Sequence, residues 1–262
     1  MCVLLLSIGI HPAFKLILLS NRDEYYLRSS SPAAFWEDHP GVLGGRDLKG
    51  GGTWLGITRE GRIGALTNYR DPINQKDNAP SRGGLVRRYL CARQGPREFI
   101  QDLRPEANAY NGFNLIIGDM DRLYCYSNRD SGIRELTPGV YGISNHLLDT
   151  PWPKVVKGKA ALTRLLAEGQ DPDQKPLFEI LQDRSMPDDA ILPDTGVGLD
   201  WERILSPIFV HSPTYGTRAS TLLLIDKEDR VCFIEKTHGP GVEDRSKREY
   251  EFFICSQNGL HG

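Results

Sequence analysis

An α+β layered sandwich built mainly of antiparallel sheet is the fold class this sequence predicts. Three observations predict it. Apolar segments come in pairs joined by short polar turns, helical periodicity is confined to two blocks, and those blocks stand between runs of strands rather than alternating with single strands.

Cys2 to Ile10 and Phe14 to Ser20 flank the His11-Pro12 turn and form a first antiparallel hairpin. Trp54 to Asn68, divided as WLGIT, REG and RIGALTN, forms a second in which Gly61 supplies the turn conformation. Ser81 caps a helix through Leu85, Tyr89 and Leu90, and a shorter helix follows around Pro96 to Leu103. NLIIGDMDRLYCYS, Asn114 to Ser127, is a third hairpin turning at Asp119 to Asp121. Thr150 and Pro151 supply an N-cap and a first-turn proline for a helix through Val155, Leu162, Leu165 and Leu166 that stops at Gly169. Phe178, Ile180 and Leu181 lie on one more short helix, and Met186 to Leu199 reads as a long surface loop. STLLLIDKEDRVCFIEK, Ser220 to Lys236, is a fourth hairpin turning at Lys227 to Asp229, and REYEFFIC is a further strand. No repeat, low-complexity tract or linker interrupts this order, so residues 1–262 are expected to form a single domain.

Of the 262 residues, 39% are hydrophobic and 25% charged, as in an ordinary soluble chain. The net charge of -2 and the lack of a Lys/Arg block argue against nucleic acid and against a membrane surface as partners. VLLLSIGI has no positive segment before it and reads as a strand, and no apolar stretch approaches the roughly 18 residues that span a bilayer, so no membrane insertion is expected. The five cysteines, Cys2, Cys91, Cys125, Cys232 and Cys255, are scattered without C-x-x-C spacing, which suits a reducing cytoplasm. Four of them are expected as buried apolar filler.

Cys2 is different because only Met1 precedes it. Methionine is normally trimmed before a small residue, and the freed α-amine, with a pKa of about 7.7 to 8.0, places a base beside the thiol. Cys2 is therefore either a small hydrophobe of the first strand or an amino-terminal nucleophile. The cluster Asn21-Arg22-Asp23-Glu24 follows the apolar strand FKLILLS, and a hairpin with so short a turn returns it beside Cys2. An arginine there favours thiolate, and a carboxylate orients the amine.

MC at the start, SNRDE, GGTWLGITREGRIGALTNYR and YGTRASTLLLID together resemble the NRDE family, also called the transport and Golgi organisation protein 2 family, over nearly the whole chain. That family is similar in layout to amino-terminal nucleophile hydrolases of the choloylglycine and penicillin V acylase type. The resemblance implies a four-layer αββα sandwich of two antiparallel sheets flanked by helices. It makes Cys2 the counterpart of the nucleophile, with Arg22 and Asp23 beside it. It also implies an oxyanion-hole asparagine at Asn68, a second asparagine at Asn145 and a late active-site arginine at Arg218. An N–H donated to a developing oxyanion is worth a few kcal/mol of barrier.

The acylases separate that arginine and aspartate by two residues, whereas Arg22 and Asp23 are adjacent. Adjacent strand residues face opposite ways, so both serve one site only if the strand has ended, and Glu24 stands as an alternative carboxylate. Asn21, Glu24, Trp54, Tyr69 and His146 are expected to contact the substrate. The implied reaction is hydrolysis of a non-peptide amide, with a small molecule as partner. The alternative is a carrier of haem or of an acyl-lipid or acyl-coenzyme A, in keeping with the family's links to haem mobilisation and lipid metabolism. No cofactor is otherwise expected. The six histidines lack metal-ligand spacing, and Gly50-Gly51-Gly52 reads as a tight turn, since no Lys-Ser/Thr follows it.

Overall fold

The computed structural model describes residues 2–167, 173–241 and 244–255. Strand β1 (Cys2–Ile8) pairs antiparallel with β2 (Phe14–Tyr25), Cys2 opposite Arg22 and Ile8 opposite Leu16. The continuous apolar runs of both strands have a simple cause, since each is buried on two faces. Leu4, Leu6, Leu16 and Leu18 point into a core shared between two sheets, while Val3, Leu5, Ile17 and Leu19 point the opposite way onto helices.

The other strands are β3 (Ser30–Phe35), β4 (Val42–Asp47), β5 (Leu55–Thr58), β6 (Ile63–Asn68), β7 (Phe113–Gly118), β8 (Leu123–Ser127), β9 (Ile133–Leu136), β10 (Gly139–Ile143), β11 (Tyr215–Asp226), β12 (Arg230–His238) and β13 (Asp244–Phe253). They form a six-stranded sheet in the order β10-β1-β2-β11-β12-β13 and a seven-stranded sheet in the order β3 to β9. Helices α1 (Gly83–Cys91) and α2 (Pro96–Leu103) cover the outer face of the second sheet through Leu85, Tyr89, Phe99 and Leu103. Helices α3 (Pro153–Ala167) and α4 (Gln174–Leu181) cover the outer face of the first through Leu162, Leu177 and Phe178. The layers run α, β, β, α, as expected. A short α5 (Leu199–Leu205) packs Leu205 against Val210 and Tyr215.

The four hairpins form where the sequence places them, with Gly61 (φ 81°) and Asp229 (φ 66°) in the left-handed region. Several local expectations are corrected. Strand β2 does not end at Ser20 but runs on through the NRDE residues to Tyr25, because β11 pairs with it as far as Tyr215 opposite Tyr25. Helix α1 begins at Gly83 without a side-chain cap from Ser81. Helix α3 begins at Pro153, and the Thr150 hydroxyl instead bonds His146; the expected stop at Gly169 lies outside the described residues.

Strands β3 and β4 escape sequence patterning because their residues answer to tertiary contacts. A Cβ on Gly44 would lie 2.6 Å from the Leu55 carbonyl oxygen, and one on Gly45 would lie 2.4 Å from the Trp54 ring. Of the four cysteines expected as filler, only Cys125 is buried; Cys91 and Cys255 are exposed and Cys232 is intermediate. Among the described residues no helix is long and apolar enough to cross a membrane.

Candidate active site

Cys2, the first residue of β1, and Arg22, toward the end of β2, are cross-strand neighbours on two inner strands of the six-stranded sheet, on the face turned toward the second sheet. They sit in the wall of a cavity of about 410 Å³. Glu24, on the same face of β2 as Arg22, lines it too, as do Trp54, Asn68 at the end of β6, and Arg82 and Gly83 at the start of α1. Arg22 is buried. Its guanidinium lies over the Trp54 ring at 4.4 Å, and its Nη2 donates to Asp47 Oδ2 at 3.4 Å.

Burial pushes the Cys2 thiol above its ordinary range, the charge of Asp23 adds to this, and Arg22 opposes it. The low-pKa thiolate expected from the sequence is therefore not what the fold produces. Cys2 is set rigidly in place by its ladder to β2 and by the Ser144 hydroxyl, which donates to its carbonyl at 3.0 Å.

Alternation along β2 separates Asp23 from Arg22. Asp23 reaches the cavity wall, but its carboxylate turns to the helix-covered side and accepts from Thr217 Oγ1 at 2.7 Å. Burial raises its pKa, and the buried Lys154 of α3 opposes that rise; Lys154 itself is pushed down to about 8 by burial. Lys154 was not anticipated.

Five expected contacts are corrected. Asn21 is fully buried on the helix-covered side, where its amide donates to the carbonyls of Leu181 and Ile208 and accepts from Ser220, so it is a strut between layers. Asn145 is also buried, is not among the residues lining the cavity, and donates to the Asn68 carbonyl at 2.8 Å. It positions Asn68. Tyr69 and His146 bond each other at 2.7 Å outside the cavity. The second ring nitrogen of His146 meets Thr150 at 2.8 Å, so both nitrogens are engaged, and among the described residues no histidine lines the cavity. Arg218 sits in a bulge of β11, ties the carbonyls of Tyr25, Tyr26 and Arg28, and lines a neighbouring cavity behind Trp54. A bulge re-aims a side chain in a way that residue spacing does not reveal.

The sequence reading also missed Arg28, Asp47 and Arg82. Asp47 accepts from Arg28 Nε at 2.7 Å and from the backbone N–H of Lys49 and Gly50. Although burial favours its neutral form, these donors hold its carboxyl below the ordinary range. The available signal was the pairing of two glycine runs. A Cβ on Gly52 would stand 2.2 Å from the Gly83 carbonyl carbon, so Gly50-Gly51-Gly52 lets this loop press against the start of α1 and bring Arg82 to the cavity.

The sequence matches the family described as Transport and Golgi organisation 2 over residues 1–240. It is 37% identical to the Transport and Golgi organization protein 2 homolog of Bos taurus, over 90% of this chain and 93% of the relative. The Mus musculus homolog is 36% identical, over 98% of this chain and the whole of the relative. In fold it is similar to the C2A mutant of conjugated bile acid hydrolase from Clostridium perfringens, with a TM-score of 0.55 and 10% identity over 96% of this chain and 92% of that one. By the extent of the family match and the similarity to these relatives over nearly their whole length, the chain belongs to the Transport and Golgi organisation 2 family.

Proposed function

We propose that the protein is an amino-terminal nucleophile hydrolase acting on a non-peptide amide in a reducing cytoplasm, with Cys2 as the nucleophile once Met1 is removed. The observation that carries this reading is the position of Cys2. It stands at the head of a central strand, in the wall of a cavity, opposite Arg22 and with Asn68 on the same cavity. A residue serving only as filler has no need of a cavity lined by polar groups.

In this reading the freed α-amine takes the thiol proton as sulfur attacks the carbonyl carbon. The negative charge of Asp23, which raises the thiol pKa, equally favours an ammonium on the same residue. Asn68, held by Asn145, donates to the developing oxyanion. The ammonium then protonates the departing amine, and water hydrolyses the thioester that remains.

Intact mass and a panel of acyl amides test this. Native protein is expected to lack Met1, and Cys2→Ser is expected to lower hydrolysis by a factor of about 100 or more while leaving thermal stability nearly unchanged. A fully retained methionine, or turnover indifferent to Cys2, removes the proposal. The raised Cys2 pKa favours one second reading, a carrier that binds an acyl-lipid or acyl-coenzyme A without using the thiol. Haem ligation by His146 does not fit, since both its ring nitrogens are engaged outside the cavity.

A further inference from the structure

Arg22 is 4% exposed, and an arginine so buried ordinarily spends its planar fork on a bidentate acceptor. Here it does not. Its Nη2 reaches Asp47 at 3.4 Å, a long contact, and its Nη1 is buried with no hydrogen-bond partner. Asp47 cannot turn to serve it better. Its Oδ2 is already taken by Arg28 Nε at 2.7 Å, and its Oδ1 by the N–H groups of Lys49 and Gly50 at 3.0 and 2.9 Å.

The same cavity receives a second guanidinium. Arg82 lines it and is steadied by Gly112, whose carbonyl accepts from Nη1 at 2.9 Å. Arg82 is the N-cap of α1, a nine-residue helix with no acidic residue in its first turn and no side-chain cap, so no group of the helix itself meets the positive end of its dipole, and of the lining carboxylates Glu24 acts on the Arg82 charge. Ser81 and Gly83 face the cavity from the same turn. The acidic groups on the lining are accounted for otherwise. Glu24 turns to Arg28 at 3.8 Å and to the Tyr25 N–H, Asp47 is saturated as described, Asp23 bonds Thr217, and Asp77 is exposed.

We propose that Arg22 Nη1, Arg82 and the N-terminus of α1 form an anion subsite, so that the molecule occupying the Cys2 cavity carries an oxyanion group such as a carboxylate or a phosphate. A charged oxygen placed there satisfies the stranded N–H of Arg22 and meets the Arg82 charge and the helix dipole together. This rests on the cavity being the ligand site, but not on turnover.

The test uses the full chain carrying Cys2→Ala, in which hydrolysis plays no part. Calorimetric Kd values are measured for N-decanoylglycine, with the anion on the amine half, for the decylamide of succinic acid, with the anion on the acyl half, and for the neutral N-decanoylethanolamine. At least one charged amide is expected to bind about tenfold or more tightly than the neutral one, with inorganic phosphate displacing it competitively. Arg82→Gln is expected to shrink that preference to within about twofold, and Arg82→Lys to retain part of it. Equal affinity for all three amides, a preference untouched by Arg82→Gln, or a failure of phosphate to compete overturns the subsite, as it would if Nη1 serves only the Cys2 thiolate. Loss of hydrolysis in the wild-type chain with the preference intact overturns the enzyme reading alone.

Discussion

Glu235 shows what a single buried group does to this fold. It lies between the sheets on β12, its Oε1 accepts the Ala33 N–H at 2.6 Å, and burial lifts its pKa to about 7 from 4.5. The folded protein therefore holds a proton that the unfolded chain has released. The stability from this group is fully present below about pH 4.5 and is lost as pH rises through 7, a swing on the order of 3 kcal/mol. Glu235→Gln keeps the acceptor and removes the ionisation. Urea unfolding is expected to show the variant matching wild type near pH 4.5 and exceeding it by up to about 3 kcal/mol at pH 8.5. A difference that stays constant between those pH values rejects this account.

At the scale of elements, α5 has seven residues, too few to persist alone, and a buried ion pair pins it in addition to the exposed pair of Arg203 with Asp189. Glu202 Oε2 meets Arg70 Nη1, both side chains at most 5% exposed, while Glu202 Oε1 accepts from the N–H and hydroxyl of Thr195. The guanidinium of Arg70 also stacks on Trp152 at 4.8 Å. Removing one charge of a buried pair costs more than replacing both by apolar groups. Glu202→Ala is accordingly expected to lose about 3 to 5 kcal/mol, and the double variant Arg70→Met with Glu202→Leu to lose distinctly less, both read from urea midpoints. A double variant as unstable as the single one contradicts this.

For the whole molecule, the decisive feature is a sheet buried on both faces. Leu18 faces the second sheet and Leu19 faces the helices, and neither is exposed to solvent. A sheet with one wet face would make one of the two substitutions nearly silent. Here Leu18→Ala and Leu19→Ala are each expected to cost about 2 to 5 kcal/mol in chemical denaturation, since both leave cavities in close-packed layers. If either variant loses less than about 1 kcal/mol, that face is not packed as described.

Taken by itself, the sequence determined what local chemistry determines: the four hairpins with their turns at Gly61 and Asp229, the helix Pro96–Leu103, and the grouping of strands and helices that makes a layered sandwich. Turn conformation and apolar periodicity are set by neighbouring residues, so they can be read along the chain. Cys2, Arg22 and Glu24 were also legible as neighbours, because the short turn between β1 and β2 brings them together, whereas Asn68 was placed beside them by the family resemblance and not by any local pattern. Only the tertiary structure decided which way the other side chains point. Pairing with β11 extends β2 past the NRDE residues, and the alternation that follows turns Asn21 and Asp23 away from Arg22. The bulge at Arg218, the union of Asn145 with Asn68, and the close approach of Gly52 to Gly83 that delivers Arg82 all join residues far apart in sequence. Such contacts depend on how completed layers meet, and burial between those layers is also what pushes the Cys2 thiol up rather than down.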